Sequence, residues 1–541
     1  MIKETANKPI PIVDLIGDME ENYYQLGLKD AEAAKLALEH TESLIKTPWQ
    51  SVDSSLRFLG RSLFLGSTSW KKRFSPWVTS YADGLGVSPE RFMLACLVPE
   101  LTACLAKWMP QIPKTLLGCS SLFVQDENEQ LTHIRTLDFP LGTTFDKNER
   151  ILRTQFEGQP TIVSYGSAGY PYHALTASTS EGITLALHQK FNDVFDSNGT
   201  PIFELVQDML IRCHDLKSCL GYLRKARSLT TWSFHMGFKS GQVLEADLSG
   251  QSLHYNTYQL KNDNFFYFNN KLINPSKEQD KFPPLNFKQY NQWREESALR
   301  KMKKFQKKTG SHIEELLKVW TTLEARKSTG LDVLTPTSLH VCAINPSSGS
   351  FHSVLGPAPK TWKGQIQIND QLWSNSPRHE IKGKAKELSN LDKAWMHLLH
   401  AQSCHDLGDQ HKLHHNLQMA LRKSRGHGLY NIIKLYGLIF TFLSEEHPKA
   451  LAHLLTDALK LTKEIDKTFL DHNWLLIYRL ERLLSQVPTV VAAQIKHPSL
   501  AKVLDIESSI PDTIYKSVIR TLIHPRIDLL DIIHVHERLD S

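Results

Sequence analysis

Hydrophobic and polar positions divide this chain of 541 residues into stretches of different texture. Up to about residue 118, apolar residues recur at the spacing of amphipathic helices, most clearly over 30–45, 51–65 and 77–85. Ser88, Pro89 and Glu90 have the form of a helix start, with a hydroxyl cap and a proline in the first turn. The pattern predicts that residues 1–118 form a largely helical segment.

Between residues 119 and 360 the pattern changes to short apolar runs separated by polar turns. It predicts a first hairpin at 119–139, a last hairpin at 338–355, and helices at 202–226 and 289–326. Further strands are predicted at 161–165, 173–178, 183–188, 233–238, 243–247, 252–256 and 265–268. Many antiparallel strands interrupted by helices are typical of an α+β domain in which stacked sheets are covered by helices.

The remainder of the chain divides into a polar stretch and a helical stretch. Residues 361–386 are rich in polar residues and contain Pro377 and Gly383, which predicts a linker. From residue 387 to 541 the helical spacing returns, with helices predicted at 391–407, 411–423, 429–443 and 449–463. These helices form two pairs that weakly resemble tetratricopeptide repeats. We therefore expect a C-terminal all-α domain that binds a protein partner or dimerises.

The first hairpin contains the candidate chemistry. Cys119 opens its first strand, a charged turn follows at 126–129, and the second strand begins near Leu131. A turn centred on Glu127 would place Cys119 directly opposite Arg135, with Cβ atoms roughly 5 Å apart. A guanidinium at that distance favours the thiolate, so we expect Arg135 to lower the pKa of Cys119.

Gly118 precedes the cysteine, which suggests cleavage between the two residues. A thiol that attacks the carbonyl just before it needs unusual backbone geometry, which glycine reaches without a Cβ clash. Cleavage would leave Cys119 with a free α-amino group of pKa about 8, a usable general base beside its own sulfur. The simpler interpretation of a cysteine among apolar neighbours is a small buried core residue.

The sequence Gly-Cys-Ser-Ser at 118–121, followed by Arg-Thr-Leu-Asp-Phe-Pro at 135–140, resembles the cysteine N-terminal-nucleophile (Ntn) hydrolases. These include the choloylglycine hydrolases, N-acylethanolamine acid amidase, acid ceramidase and acyl-coenzyme A:6-aminopenicillanic acid acyltransferase. The resemblance implies a four-layer αββα sandwich over 119–360 and a cleaved N-terminal pro-region over 1–118. It also implies that Cys119 is the nucleophile, Arg135 steadies the site and the substrate, and Asp138 positions the new α-amine.

The same resemblance suggests further site residues. The segment 266–275 is similar to the family's apolar strand ending in Thr-Asn-His, which makes Asn270 an oxyanion donor and Asn269 the alternative. Thr179 stands where related enzymes carry the asparagine of Met-Asn-Glu, and Glu181 matches the glutamate nearby. Arg294 matches a helix arginine and is a candidate substrate contact. Without the motif, a strand-end asparagine is ordinarily a turn residue.

Charge and composition limit the classes of partner and ligand that the sequence favours. The net charge of +6 is small for 541 residues and argues against nucleic acid. The cationic run 300–308 could contact an anionic lipid surface, although a solvated helix face is the commoner explanation. The histidines and the cysteine between 397 and 415 lack paired metal-ligand spacing, so we expect a polar helix face and no metal. The chemistry implied by the resemblance requires no cofactor.

The expected cellular compartment is inferred from the N-terminus, from the lengths of the apolar runs and from the cysteine count. The N-terminus lacks an apolar signal-like core, and no run of about 18 apolar residues occurs. Seven cysteines are few and odd in number, which fits a reducing compartment. We therefore expect a cytoplasmic protein without a transmembrane helix, unlike lysosomal members of the family.

These observations favour a self-processed amidohydrolase or acyltransferase that cleaves linear amides. Its substrate would be an N-acyl amide with an apolar acyl group, or an acyl thioester, and Cys119 would form a thioester intermediate. The alternative is a catalytically inactive hydrolase-like protein that serves as a helical interaction scaffold. The unmatched Thr-Asn-His and Met-Asn-Glu positions favour the alternative, and the intact Gly-Cys and Arg-x-x-Asp motifs favour the enzyme.

Overall fold

A computed structural model describes most of the chain. The described residues are 9–43, 54, 72–105, 118–125, 130–139, 144–192, 194–261, 264–281, 283, 285–305, 313–322, 332–356, 365–384, 387–490, 494–523, 525, 527–529 and 531–533. The helix predicted at 51–65 (apart from residue 54) and the turn predicted at 126–129 lie outside them.

The strands of this part of the chain form two sheets. They are β1 Ile12–Ile16, β2 Gly118–Gln125, β3 Leu131–Asp138, β4 Glu149–Gln155, β5 Ile162–Ser167, β6 Thr176–Thr179, β7 Ile183–Gln189, β8 Thr231–Phe238, β9 Gln242–Ser249, β10 Ser252–Gln259, β11 Phe266–Phe268, β12 Ser338–Asn345, β13 Ser350–Val354, β14 Ile366–Asp370 and β15 Arg378–Lys382. Sheet A has the order β1-β4-β5-β6-β7-β8-β9-β10, and sheet B has the order β11-β2-β3-β12-β13-β14-β15.

Sheet A begins with a strand from the N-terminal segment. β1 pairs in parallel with β4, and the carboxylate of Asp14 accepts a hydrogen bond of 2.6 Å from Arg153. The segment before residue 118 is therefore not only helical, as predicted, but also part of a sheet. Its first apolar run is only five residues long, which is too short for a helix and sufficient for an edge strand.

Sheet B ends with two strands in the segment predicted to be a linker. β14 pairs with β13, and β15 pairs with β14, both antiparallel. The side chains of Ile366 and Ile368 are buried in the apolar layer outside sheet B. Residues 361–386 thus extend the domain, because an alternating strand pattern with only two apolar positions is concealed by its polar neighbours.

Helices cover the outer faces of both sheets. They are α1 Met19–Ser43, α2 Pro76–Leu85, α3 Pro89–Leu105, α4 Ile202–Arg212, α5 Leu216–Leu223, α6 Lys277–Lys281, α7 Leu285–Phe305 and α8 Ile313–Thr321. The predicted helix 202–226 is divided in two because Asp215 caps a new helix through a capping box with Ser218. The predicted helix 289–326 corresponds to α7 and α8.

The two sheets face each other between these helical layers. Along β2, Leu122 and Val124 pack with α7 and α8, whereas Ser121 points the other way and contacts His188 of β7. Residues of α1 to α5 form a common core with the outer face of sheet A, including Leu185. The predicted α+β fold with four αββα layers is confirmed.

The C-terminal part is helical, as predicted. Its helices are α9 Asn390–Asp406, α10 Gln410–Lys423, α11 Leu429–Ser444, α12 Pro448–Leu461, α13 Lys467–Leu483, α14 Pro498–Ser508 and α15 Asp512–Leu522. Their apolar core also takes in Phe191, Phe287 and Tyr290 of the preceding domain. Among the described residues, no helix is both long and apolar enough to cross a bilayer.

Two glycines allow close packing of the N-terminal helices. A Cβ atom on Gly84 of α2 would lie 2.2 Å from the backbone oxygen of Tyr24, and one on Gly27 of α1 would lie 2.3 Å from that of Tyr81. Such distances are well below van der Waals contact. The crossing of α1 and α2 therefore requires glycine at both positions.

Replacing Gly84 with alanine should separate α1 from α2. We expect Gly84→Ala to lower the free energy of unfolding by about 1–3 kcal/mol, because the inserted methyl group forces a backbone shift. The control is Gly221→Ala in α5, where a Cβ would meet no atom within 4 Å. That change should be neutral or raise stability by about 0.4–1 kcal/mol. Urea denaturation of both variants measures the difference, and equal effects would contradict the packing argument.

Candidate active site

The hairpin of β2 and β3 brings Cys119 and Arg135 to one face. The pairs are Gly118 with Asp138, Cys119 with Leu137, and Ser121 with Arg135. The predicted register, with Cys119 directly opposite Arg135, is therefore wrong, because Cys119 pairs with Leu137, two residues beyond Arg135. The error moves the partner by two residues, and side chains two apart on a strand share a face. Arg135 is consequently a diagonal neighbour of Cys119.

The thiol of Cys119 lies in a network of buried donors and acceptors. Nη2 of Arg135 donates to Sγ over 2.9 Å and to the carbonyl oxygen of Leu187 over 3.0 Å. Nη1 of Arg135 donates to Nε2 of His188 over 2.7 Å, and the hydroxyl of Ser121 lies 2.9 Å from the same nitrogen. Burial lowers the pKa of His188 well below its usual value, so the imidazole is neutral and accepts.

The pKa of the Cys119 thiol is raised rather than lowered. Complete burial disfavours the thiolate, and the nearby guanidinium groups of Arg135 and Arg294 only partly offset this effect. Arg135 therefore acts on the thiol in the predicted direction, toward a lower pKa, but desolvation is the larger contribution.

Gly118 occupies a place that has no room for a side chain. A Cβ there would lie 2.8 Å from the hydroxyl oxygen of Tyr290 and 2.9 Å from Oδ2 of Asp138. Its backbone is part of the extended strand β2. The glycine is thus required by the close approach of two side chains, rather than by the unusual backbone conformation that we had predicted.

Asp138 is a buried carboxylate with three donors. It accepts hydrogen bonds from the hydroxyls of Tyr290 and Ser338, and from Nη1 of Arg294 over 3.5 Å. Burial raises its pKa, whereas Arg294, Ser338, Tyr290 and the charge of Arg135 lower it in that order. These donors hold Asp138 opposite Gly118, with which it pairs, and its role in positioning an α-amine of Cys119 stays a prediction.

Arg294 lies at the centre of the site and is fully buried. Its Nη1 donates to the backbone oxygen of Cys119 over 2.8 Å, and its Nη2 donates to Oδ1 of Asn270 over 2.9 Å and to Oδ1 of Asn291. The guanidinium carbon lies 4.1 Å from the centre of the Tyr290 ring. The residue predicted as a substrate contact is therefore hydrogen-bonded to the backbone of Cys119.

Asn270 also contacts the cysteine backbone. Its Oδ1 accepts the N–H of Cys119 over 2.9 Å, and its Nδ2 donates to the carbonyl oxygen of Gln189 over 2.9 Å. The amide of Asn269 donates to the carbonyl oxygen of Asn291 over 2.9 Å. Both amide groups therefore donate to backbone carbonyls rather than being directed at a substrate oxyanion.

A buried lysine fixes the loop that carries Asn270. Nζ of Lys190 donates to the carbonyl oxygens of Asn269 and Lys271, on either side of Asn270. The same ammonium lies 3.8 Å from the carboxylate of Asp247, and burial lowers its pKa. This pair restrains the backbone around Asn270 from both sides.

Two predicted residues lie away from the site. Thr179 pairs with Ile183 at the start of β7, four residues before Leu187, which corresponds to roughly 13 Å along the strand. Glu181 is exposed in the turn between β6 and β7. The sequence around them matches the family motif only in part, and the structure does not bring either side chain to Cys119.

Several site residues could not be predicted from the motif. Tyr290 and Asn291 lie on α7 before the predicted Arg294, His188 lies on β7, and Ser338 opens β12, 200 positions after Asp138. A weak signal existed for Tyr290, since it and Arg294 are four residues apart and share a helix face. His188 and Ser338 carry no local signal, because only tertiary packing brings them to β2 and β3.

A small apolar cavity lies next to this network. It is lined by Leu38 and Cys96 of the N-terminal helices and by Phe139, Leu175 and Phe203, among others. Its volume is about 40 Å³, and about 10–15 Å³ suffices for one water molecule. Phe139 follows Asp138, and the carbonyl oxygen of Leu175 accepts the N–H of Leu187. The cavity therefore lies between the N-terminal helices and residues near the site, and Cys119 itself is not part of its lining.

Metal binding has no geometric basis in the part of the chain that the structure describes. There, no three His, Cys, Asp or Glu side chains are grouped to hold an ion. In the predicted histidine-rich region, Nδ1 of His397 lies 2.9 Å from Oδ1 of Asn416, so this imidazole belongs to the contact between α9 and α10.

No protein-family model and no curated protein matches this chain. Similar solved structures include the Caenorhabditis elegans N-acylethanolamine-hydrolyzing acid amidase ortholog, with 14% identity, a TM-score of 0.32, and coverage of 42% of this chain and 93% of the other. A variant of the Clostridium perfringens conjugated bile acid hydrolase has 11% identity and a TM-score of 0.33, and the match covers 50% of this chain and 99% of the hydrolase. Penicillin V acylase from Agrobacterium tumefaciens has 11% identity and a TM-score of 0.31, and the match covers 51% of this chain and 91% of the acylase.

These similar structures are enzymes of the group that the motif around Cys119 resembles. At such identities and TM-scores, however, the similarity does not assign an activity to this chain. The chemistry has to be argued from the side chains around Cys119.

Arg294→Met tests how much the buried network depends on one guanidinium. The substitution leaves Asp138 and two amide oxygens short of a donor, so we expect the free energy of unfolding to fall by about 3–5 kcal/mol. Urea denaturation in a Cys119→Ala background measures it. Arg212→Met is the control, because Arg212 forms an exposed ion pair with Asp208 on one helix, and exposed pairs contribute little. A similar loss in both variants would argue against a central role for Arg294.

Proposed function

We propose that this chain cleaves itself between Gly118 and Cys119 and then acts as an amidohydrolase or acyltransferase with Cys119 as nucleophile. One observation carries the proposal: three atoms of Cys119 are each fixed by a different buried side chain. Sγ accepts from Arg135, the N–H donates to Asn270, and the carbonyl oxygen accepts from Arg294, at 2.9, 2.9 and 2.8 Å. A core cysteine that only fills space does not require such contacts.

The self-cleavage step is an N-to-S acyl shift followed by hydrolysis. The thiol loses its proton and attacks the carbonyl carbon of Gly118; the Gly118–Cys119 C–N bond breaks, and the nitrogen takes up a proton. Water then hydrolyses the thioester, which gives a carboxylate at Gly118 and restores the thiol. The new α-amine of Cys119 remains against Oδ1 of Asn270, which already accepts its N–H in the uncut chain.

The mature site would use this amine as its base. The amine takes the proton of the Cys119 thiol, the thiolate attacks an amide carbonyl of the substrate, and the amine returns the proton to the leaving nitrogen. Water or an acceptor amine then takes the acyl group from the thioester. Arg135 favours the thiolate, Asp138 supports the ammonium form, and Asn270 orients the amine. For Asn270 we prefer this role to that of oxyanion donor, because its amide N–H₂ is bound to Gln189.

The substrate class is proposed from the small apolar cavity between the N-terminal helices and Phe139, which follows Asp138. Its aromatic and aliphatic lining fits an apolar acyl group. Its volume in the uncut chain suits a short group, so a longer chain would require movement of the N-terminal helices after cleavage. We therefore propose N-acyl amides with an apolar acyl group, and residues 1–118 as a pro-region.

The second candidate is an inactive hydrolase-like scaffold. Burial of Cys119, with a raised thiol pKa, favours it, because neither supports nucleophilic attack in the uncut chain. Self-cleavage distinguishes the two, since a scaffold has no need of it.

The intact mass of the purified protein tests the proposal. We expect the chain of 61.7 kDa to divide into two pieces at the Gly118–Cys119 bond over a range of pH, and Cys119→Ala to remain whole. Cys342→Ala is the matched control. Cys342 of β12 is as deeply buried as Cys119, and it is the register partner of Arg135 on β3. A wild-type chain that stays whole from acid to neutral pH, and whose Cys119 is not labelled by an acyl electrophile, would overturn the proposal.

A further inference from the structure

We propose that the C-terminal helical domain positions the cleavage site through Tyr290, which it holds against Asp138 and Gly118. The inference rests on the proposed function but goes beyond it, because it assigns a role to helices that lie outside the αββα layers. Tyr290 is a positioning residue in this proposal. It acts through Asp138 rather than on the reacting atoms.

One end of Tyr290 belongs to the site. Its hydroxyl donates to Oδ2 of Asp138 and lies 2.8 Å from the point where a Cβ on Gly118 would be. Its ring lies under the guanidinium of Arg294, one helical turn further along α7. Tyr290 therefore touches, or is bound to, three groups that surround the bond to be cleaved.

The other end of Tyr290 belongs to the C-terminal domain. Together with Phe287 it is part of the same apolar core as Trp395 and Leu398 of α9. Phe287 also packs edge-on against Phe191, with ring centres 4.5 Å apart. One turn of α7 thus belongs to the same apolar core as the C-terminal helices, and Tyr290 is buried within it.

This arrangement makes α7 a mechanical link between the two domains. Tyr290 and Arg294 lie on the same helix, so a shift of α7 away from sheet B moves the donors of Asp138 and of the Cys119 carbonyl together. Phe287 lies next to Tyr290, with ring centres 6.1 Å apart, and both rings belong to the C-terminal core near the start of this helix. The packing of Phe287 and Tyr290 in the C-terminal core therefore influences how well Asp138 is satisfied.

The proton affinity of Asp138 gives the measurable consequence. The groups that face it are Arg294 and Tyr290 of α7, Arg135 of β3, Ser338 of β12 and Cys119 of β2. Burial raises its pKa, and the hydrogen bond from Tyr290 lowers it. Removal of that donor should raise the pKa of Asp138 further. As the pH falls, Asp138 would then become protonated at a higher pH than in the wild-type chain.

Tyr290→Phe removes the hydroxyl and keeps the ring. We expect self-cleavage of the full chain to slow about tenfold at neutral pH. In a plot of cleavage rate against pH, the acidic limb should move to higher pH. The rate at alkaline pH should be close to that of the wild-type chain. Intact mass against time at each pH gives the rates. A pH profile that coincides with that of wild type, or a uniform loss without a shift, would overturn the role of Tyr290.

Phe287→Ala tests the link to the C-terminal domain. We expect it to slow self-cleavage and to shift the acidic limb in the same direction as Tyr290→Phe. Phe238→Ala is the control, because Phe238 is also 3% exposed but pairs with Ile183 at the distant end of β7. Thermal unfolding of both variants shows whether they are folded and similarly destabilised. Wild-type kinetics in Phe287→Ala, or an equal change in Phe238→Ala, would overturn the inference.

The two proposals fail in different ways. If the wild-type chain is never cleaved, the proposed function fails. If the wild-type chain is cleaved and Tyr290→Phe and Phe287→Ala behave like wild type, the function stands and only the role of the C-terminal domain is lost.

Discussion

A buried guanidinium, that of Arg294, joins the parts of the site that the chain supplies separately. It donates to the backbone of Cys119 on β2, to Asp138 on β3 and to Asn270 after β11, while lying on α7 against Tyr290. A buried charge without partners would cost several kcal/mol, so the surrounding acceptors must be in place whenever the protein is folded. The geometry of the cysteine is therefore tied to the stability of the whole domain.

The same burial shields the thiol of Cys119. It raises the thiol pKa and separates the sulfur from bulk water, although Arg135 donates both to the sulfur and to the neutral imidazole of His188. The geometry of the site is set by side chains from four strands and one helix, so it is sensitive to distant packing.

Much of the fold and part of the candidate site could be predicted from the sequence. The layers followed from the alternation of apolar residues, and Arg135 was placed correctly on the face of Cys119 because an error of two residues preserves strand parity. The strands within 361–386 were missed because their apolar positions are few. His188 and Ser338 were missed because no local pattern reports a contact across 67 or 200 positions. Thr179 was placed by motif alone, and its strand directs it elsewhere.

The strand β1 has a further implication for the order of events during maturation. It forms hydrogen bonds with β4, and the helices that follow it share one core with sheet A. The core around sheet A therefore contains side chains from both sides of the Gly118–Cys119 bond. If the proposed cleavage takes place, it would have to follow the folding of this core, and the product would be two interleaved chains joined by non-covalent contacts.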